Sequence, residues 1–238
     1  MSALLPGQAA APDGPIDLTM MYLLHHGFRR DLARFADAAR RTPVAEGATW
    51  HALLERWDLF ALLLEDHHTK EDDHVWPLLD AALREADDRG GLRVLEEMAT
   101  EHGAIDPVLA TARERLARMA ARPDAVTRSA LVDAVTAARE VVDQHLAHEE
   151  RSAVPLLQRY VSEDDWARLD REHLRGGLAP RQLLQLVPWA VQGLHPEITA
   201  EPLRRAGFGF RVLLRLGRPR FRRLELAAFR HVGAGVGA

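Results

Sequence analysis

The chain has 238 residues, 47% of them apolar, no Cys, and a formal net charge of −4. It is long enough for one sizeable core with an appendage and too apolar for wholesale disorder. Without Cys, disulfides, thiolate zinc sites and iron–sulfur clusters are excluded, so any metal must be held by nitrogen and oxygen.

The N-terminal residues 1–14 have no basic start and are broken by proline, which predicts a disordered leader rather than a signal peptide. Asp13-Gly14-Pro15 then reads as a helix start. Turn signals at Pro43–Gly47, Arg89-Gly90-Gly91 and Arg122-Pro123-Asp124 divide residues 15–161 into four long segments, with Thr49 and Asp124 as expected N-caps. Each segment carries a stripe with steps of three and four, the period of a helix. The first stripe is Leu18, Met21, His25, Phe28, Leu32, Phe35, Ala39. The second runs Leu53, Trp57, Phe60, Leu64, His67, Glu71, His74, Leu78. The third is Leu95, Met98, His102, Ile105, Leu109, Ala112, Leu116, and the fourth Leu131, Val135, Ala138, Val142, His145, Glu149, Ser152, Leu156. Every stripe is apolar apart from its His and Glu residues and, in the fourth, Ser152.

Short connections make successive helices antiparallel, so the expected fold is all-α, an up-down-up-down four-helix bundle with a C-terminal helical extension. Counted from the first turn at a rise of ~1.5 Å per residue, His25 and His67 both lie ~26 Å away. Counted from the third turn, His102 and His145 also match in height. The chain repeats itself: DHHTKEDDHVWPLL aligns with QHLAHEERSAVPLL at an offset of 78, and His25 aligns with His102 at an offset of 77.

The i,i+4 spacing puts His67 and Glu71 on one helical face, and likewise His145 and Glu149. Two buried carboxylates are costly unless neutralised, and no Lys or Arg shares these seams near that level. Cations solve this, with four neutral imidazoles and two bridging Glu. That set supplies eight bonds where two six-coordinate metals want about twelve, which leaves an open site suited first to iron, then to manganese or zinc.

This pattern resembles the hemerythrin-like, or HHE cation-binding, family over residues 16–160. The resemblance implies a non-haem diiron centre with an oxo or hydroxo bridge, bridged by Glu71 and Glu149 and ligated by His25, His67, His102 and His145. It implies O2, peroxide or NO as the small ligand, in oxygen or iron binding or sensing. The alternative is a diiron enzyme that activates O2 or decomposes peroxide or NO, its C-terminal helices shaping a substrate pocket. The oxygen-carrying members supply two histidines a turn apart from their third helix; here His102 has Met98 before it and Asp106 after it. His74, one turn beyond Glu71, is expected as an extra ligand, and Tyr22 is expected close to the metals. His26, His68 and His148 lie off the seams and read as flank. Asp72, Asp73 and Glu150 read as solvated groups or as partners for imidazole N–H. Pro77 and Pro155 should kink or end their helices.

The extension, residues 162–238, opens with the capping-box pattern Ser162-Glu-Asp-Asp165. Charge is concentrated there: residues 201–238 hold nine Arg against Glu201 and Glu225, a balance of +7 that leaves −11 for the first 200. Its basic helices are expected to pack on the acidic bundle, with contact to a membrane surface as the second reading and no nucleic-acid motif in view. The Gly- and Ala-rich residues 233–238 should fray. No apolar stretch approaches the roughly 18 residues that span a bilayer, and the lack of Cys suits a cytoplasmic location.

Overall fold

The computed structural model describes residues 4–205 and 207–232 and is all-helical, with no strand among the described residues. The elements are α1 (Thr19–Arg41), α2 (Gly47–Lys70), α3 (Trp76–Glu85), α4 (Arg89–Ala121), α5 (Ala125–His148), α6 (Val154–Tyr160), α7 (Glu163–Leu169), α8 (Pro180–Ala190), α9 (Pro196–Arg205) and α10 (Phe208–Ala228). None of these helices is long and apolar enough to cross a membrane.

Local signals set most boundaries. The Asp124 carboxylate accepts from the Val126 and Thr127 N–H groups and opens α5, and Ser162 Oγ accepts from Asp165 N–H to open α7. Asp88 does the same for α4 through Gly91. The second turn closes around Ala86–Asp88 rather than at the glycines, with Asp87 in the left-handed region at φ 51°. Two expected starts shift: α1 begins at Thr19, and α2 begins at Gly47, leaving Thr49 buried inside its first turn.

Lys70 does not end the second segment. A widened, π-helical turn (Glu71–Val75) joins α2 to α3, and another (Glu149–Ala153) joins α5 to α6, so the two copies of the repeat share the device. Proline explains it. Pro77 and Pro155 bring no N–H, and their rings would clash with the carbonyls of Asp73 and Arg151 in a regular helix. An extra residue in the turn relieves that clash, so the helices continue instead of ending.

Packing follows the stripes. α1 packs on α5, α2 on α4, and α4 on α5. Two apolar clusters result. One holds Phe28, Phe60, Leu64, Ile105 and Val142; the other holds Met21, Val75, Leu79, Met98, Ala153 and Leu157. Along the chain, His25, His67, His102 and His145 each fall between a residue of one cluster and a residue of the other. The histidine layer therefore separates two cores.

The C-terminal helices cover the first copy of the repeat: α8 lies on α1, and α10 lies on α2 and α8. Gly217 allows the closest approach, because a Cβ there would stand 1.8 Å from the Leu184 carbonyl oxygen. A buried charge cluster fixes this contact. Arg56, fully enclosed, donates to Asp31 and Glu225 at 2.5 Å each, Arg34 also donates to Glu225, and Trp189 donates to Asp31 at 2.6 Å. The outer side of α10 carries Arg211, Arg215, Arg218, Arg222 and Arg223 in the open. Residues 4–14 form no helix; the Ala9 N–H donates to Glu150 at 2.6 Å, and the Pro6 carbonyl stands 3.5 Å from His26. The end expected to fray, 233–238, lies outside the described residues.

Candidate metal centre

Six stripe residues, His25, His67, Glu71, His102, His145 and Glu149, are all buried in the layer between the two cores. They gather into two adjoining groups. One nitrogen or oxygen from each of His25, His67, Glu71 and Glu149 lies within 4.8 Å of the others, and the same holds for His68, His102 and His145. The carboxylates stand between the groups. Glu71 is 3.1 Å from His67 Nε2 and 3.7 Å from His102 Nε2; Glu149 is 3.3 Å from His25 Nε2 and 3.9 Å from His145 Nε2.

These close approaches are mostly not hydrogen bonds. Both oxygens of Glu71, both of Glu149, and Nε2 of His68, His102 and His145 are buried without a hydrogen-bond partner. Leaving a buried polar atom unsatisfied costs about 1–3 kcal/mol, so seven at one level amount to a penalty comparable with the stability of a whole domain. Cations answer that penalty, and imidazole with carboxylate is the donor set that divalent transition metals take. The residues fit the group.

The far sides of the rings are held. His25 Nδ1–H donates to Glu150 at 2.9 Å, His102 Nδ1–H to Asp72 at 2.8 Å, and His145 Nδ1–H to Glu101 at 2.9 Å. A proton fixed on Nδ1 leaves the Nε2 lone pair facing inward, the arrangement that orients metal-binding imidazoles. Two of these contacts cross the repeat. Asp72 and Glu150 are equivalent positions, and each serves the first-helix histidine of the other copy. Arg29 anchors Glu150 with two hydrogen bonds, at 2.7 and 3.1 Å.

Electrostatics reflect the crowding. Burial, then the charges of Glu149 and Asp72, push the Glu71 carboxyl well above its usual range. Burial would also raise Glu149, but the charge of His25, 3.3 Å away, brings it down to about 2. For His25, burial opposes protonation, yet Glu149 and Glu150 lift it to about 9. His67 and His68 are driven well down, by burial first and neighbouring imidazoles second. Tyr22 is raised to about 12 by burial and by Glu150 and Glu149, and its hydroxyl is buried without a partner.

The expectations for His74, His68 and His26 are corrected. His74 is not brought to either group. The widened turn swings it off the seam, and its ring stacks on His173 at 4.0 Å. His68, read as flank, is buried; its ring stacks on His102 at 4.2 Å. A signal for it existed in the repeat, because the equivalent of His68 is Leu146, a fully buried residue. His148 stays at the flank, donating to Glu101 at 2.7 Å, while His26 is buried beneath the leader. Glu101 was missed altogether: it lies off the stripe and is recognisable only once α4 and α5 are packed.

No curated protein and no solved structure matches the chain. The family model described as the hemerythrin HHE cation binding domain matches residues 17–157, which is more than half of the sequence and takes in every residue of both groups. The chain belongs to the hemerythrin HHE cation-binding domain family.

Proposed function

We propose that this protein is a cytoplasmic non-haem diiron protein that takes O2, or a related oxidant such as peroxide or NO, at an open carboxylate-bridged site. Residues 15–161 form the metal-binding unit, an up-down-up-down four-helix bundle, and residues 162–238 a basic helical extension. One observation carries the reading: each of two buried, unpaired carboxylates stands between a histidine of one group and a histidine of the other. Glu71 and Glu149 are the bridging residues. His25 and His67 hold one ion, and His102 and His145 the other.

His68 adds a fifth imidazole, on the side of His102 and His145. The oxygen carriers draw their extra histidine from the third helix, so this chain reaches the same count by another route. Iron would supply one-electron chemistry and a free coordination position for the oxidant. The protein's part is to keep the Nε2 lone pairs of His25, His102 and His145 inward through Glu150, Asp72 and Glu101, and to hold water back with the apolar cores above and below.

An enzyme is the second reading, favoured by a cavity that reaches His67 and Glu71 and is walled in part by the C-terminal helices. Both readings are tested by loading the full chain anaerobically with ferrous iron. About two irons per chain, with absorption bands that form on oxygenation and vanish on deoxygenation, are expected for binding or sensing. Irreversible turnover with peroxide would select the enzyme, and less than one metal per chain would remove both.

A further inference from the structure

A cavity of about 650 Å³ lies between the first copy of the repeat and the C-terminal helices. Its inner end is formed by His67 and Glu71. Met21, Leu24 and Leu63 line one side, from within the family-matched region; Trp166, Leu183 and Leu186 line the other, from beyond it. The HHE domain therefore supplies the metal end, and the sequence that follows supplies the apolar roof. The volume falls within the roughly 300–1,000 Å³ of small-molecule sites, far more than a diatomic gas needs.

The charges on the lining decide what kind of molecule fits. Lys70, Arg175 and Arg205 are its cations, and each is already held by a lining carboxylate: Lys70 by Asp66 at 2.6 Å, Arg205 by Asp17 at 2.6 Å, and Arg175 by Asp170 at 2.5 Å. An anionic ligand would have to break one of these pairs to gain a partner, and the lining carboxylate outside them, apart from Glu71 at the metal end, is Glu163, whose exposure to solvent makes it a weak partner for a cation. A neutral apolar ligand breaks none and removes apolar wall from water.

We infer that this cavity binds an uncharged, largely apolar small molecule with one end against His67 and Glu71. The inference rests on the diiron reading for that end; the apolar wall stands apart from it.

The test titrates the full chain, metal-free and then loaded anaerobically with ferrous iron, with the neutral fluorophore N-phenyl-1-naphthylamine. Saturable binding of one probe per chain with blue-shifted emission is expected. It should weaken at least tenfold in Leu183→Trp and in Leu186→Trp, each of which fills the roof. Helical content by circular dichroism checks both variants, and Leu183→Gln, close to leucine in size, challenges the same wall if tryptophan unfolds the tail. The anionic relative 1-anilinonaphthalene-8-sulfonate should bind at least tenfold more weakly. Iron loading should quench the bound neutral probe several-fold. No saturable binding, equal affinity in all the folded variants, or equal affinity for the anionic dye would overturn the proposal, and unquenched emission at full iron content would overturn its placement. A metal content below one per chain with probe binding intact would remove the diiron reading and leave the apolar site standing.

Discussion

The two copies of the helix pair share a plan and differ in what surrounds it. Equivalent positions carry the first-helix histidine, the His-x-x-x-Glu pair, the widened turn and the proline after it. Where the first copy has Asp31 and Arg56, the second has Val108 and Ala134, both half-buried against the core. That exchange explains why the C-terminal helices lie on the first copy. Glu225 of α10 meets a buried guanidinium there and would meet only alkyl groups on the other side. At the histidine layer, His68 stands where the second copy has Leu146. Duplication supplies the frame, and a few exchanges give the two faces separate tasks.

The largest effect is expected from removing either of the carboxylates proposed as bridges. Glu71→Ala and Glu149→Ala should each take the chain from about two metals to fewer than one, read by metal analysis after ferrous loading; full content in either variant would contradict the equivalence of the two copies. Next comes the charge cluster that only the first copy has. Glu225→Ala strands part of a fully buried guanidinium, a loss of about 3–5 kcal/mol, measurable by denaturant unfolding of the metal-free chain. Acid tests the same cluster. Burial alone would raise the Asp31 and Glu225 carboxyls, yet the neighbouring Arg56, with Arg30 or Arg34, holds both below the ordinary range. Their contribution is thus complete above the unfolded carboxylate pKa near ~4 and is lost as pH falls through the folded values. The melting temperature should drop there, and the drop should be smaller in Glu225→Ala.

The exchange at the metal layer comes third. His68→Leu, which copies Leu146, should weaken the second metal by about 10- to 100-fold while the first stays bound, read by stepwise titration. Equal weakening of both metals would show that His68 serves no single ion. The smallest effects belong to the crossed contacts. Glu150→Gln should reduce metal affinity by about tenfold. Asp72→Asn should cost less, because the Asp72 side chain is 45% exposed whereas that of Glu150 is fully enclosed.

Much of this layer was legible in the sequence because burial and helical period leave a joint trace. Of the eight polar residues on the apolar stripes, six are buried at one level, whereas His74 and Ser152 are only half-buried. His68 was not legible from its own stripe, since it follows His67 and points about 100° further round the helix. Where one helix packs against several others, the interior face is wider than a single seam. His74 failed for a different reason: its place depends on a turn of changed pitch, which the proline three residues on signals only indirectly. The cavity left no trace of its own, because its two sides come from segments more than a hundred residues apart and are joined by tertiary packing.

The widened turns also make chain length near the site a fixed quantity. The turn absorbs one residue beyond the regular helical period, which keeps Leu79 and Leu83, both fully buried, on the core face. Deleting one residue between Asp72 and Val75 would restore an ordinary turn with those leucines still facing the core, but the proline ring would then meet the carbonyl that the extra residue now clears. Inserting a further residue there would rotate everything after it by about 100° and misalign the far core from the histidine layer beneath it.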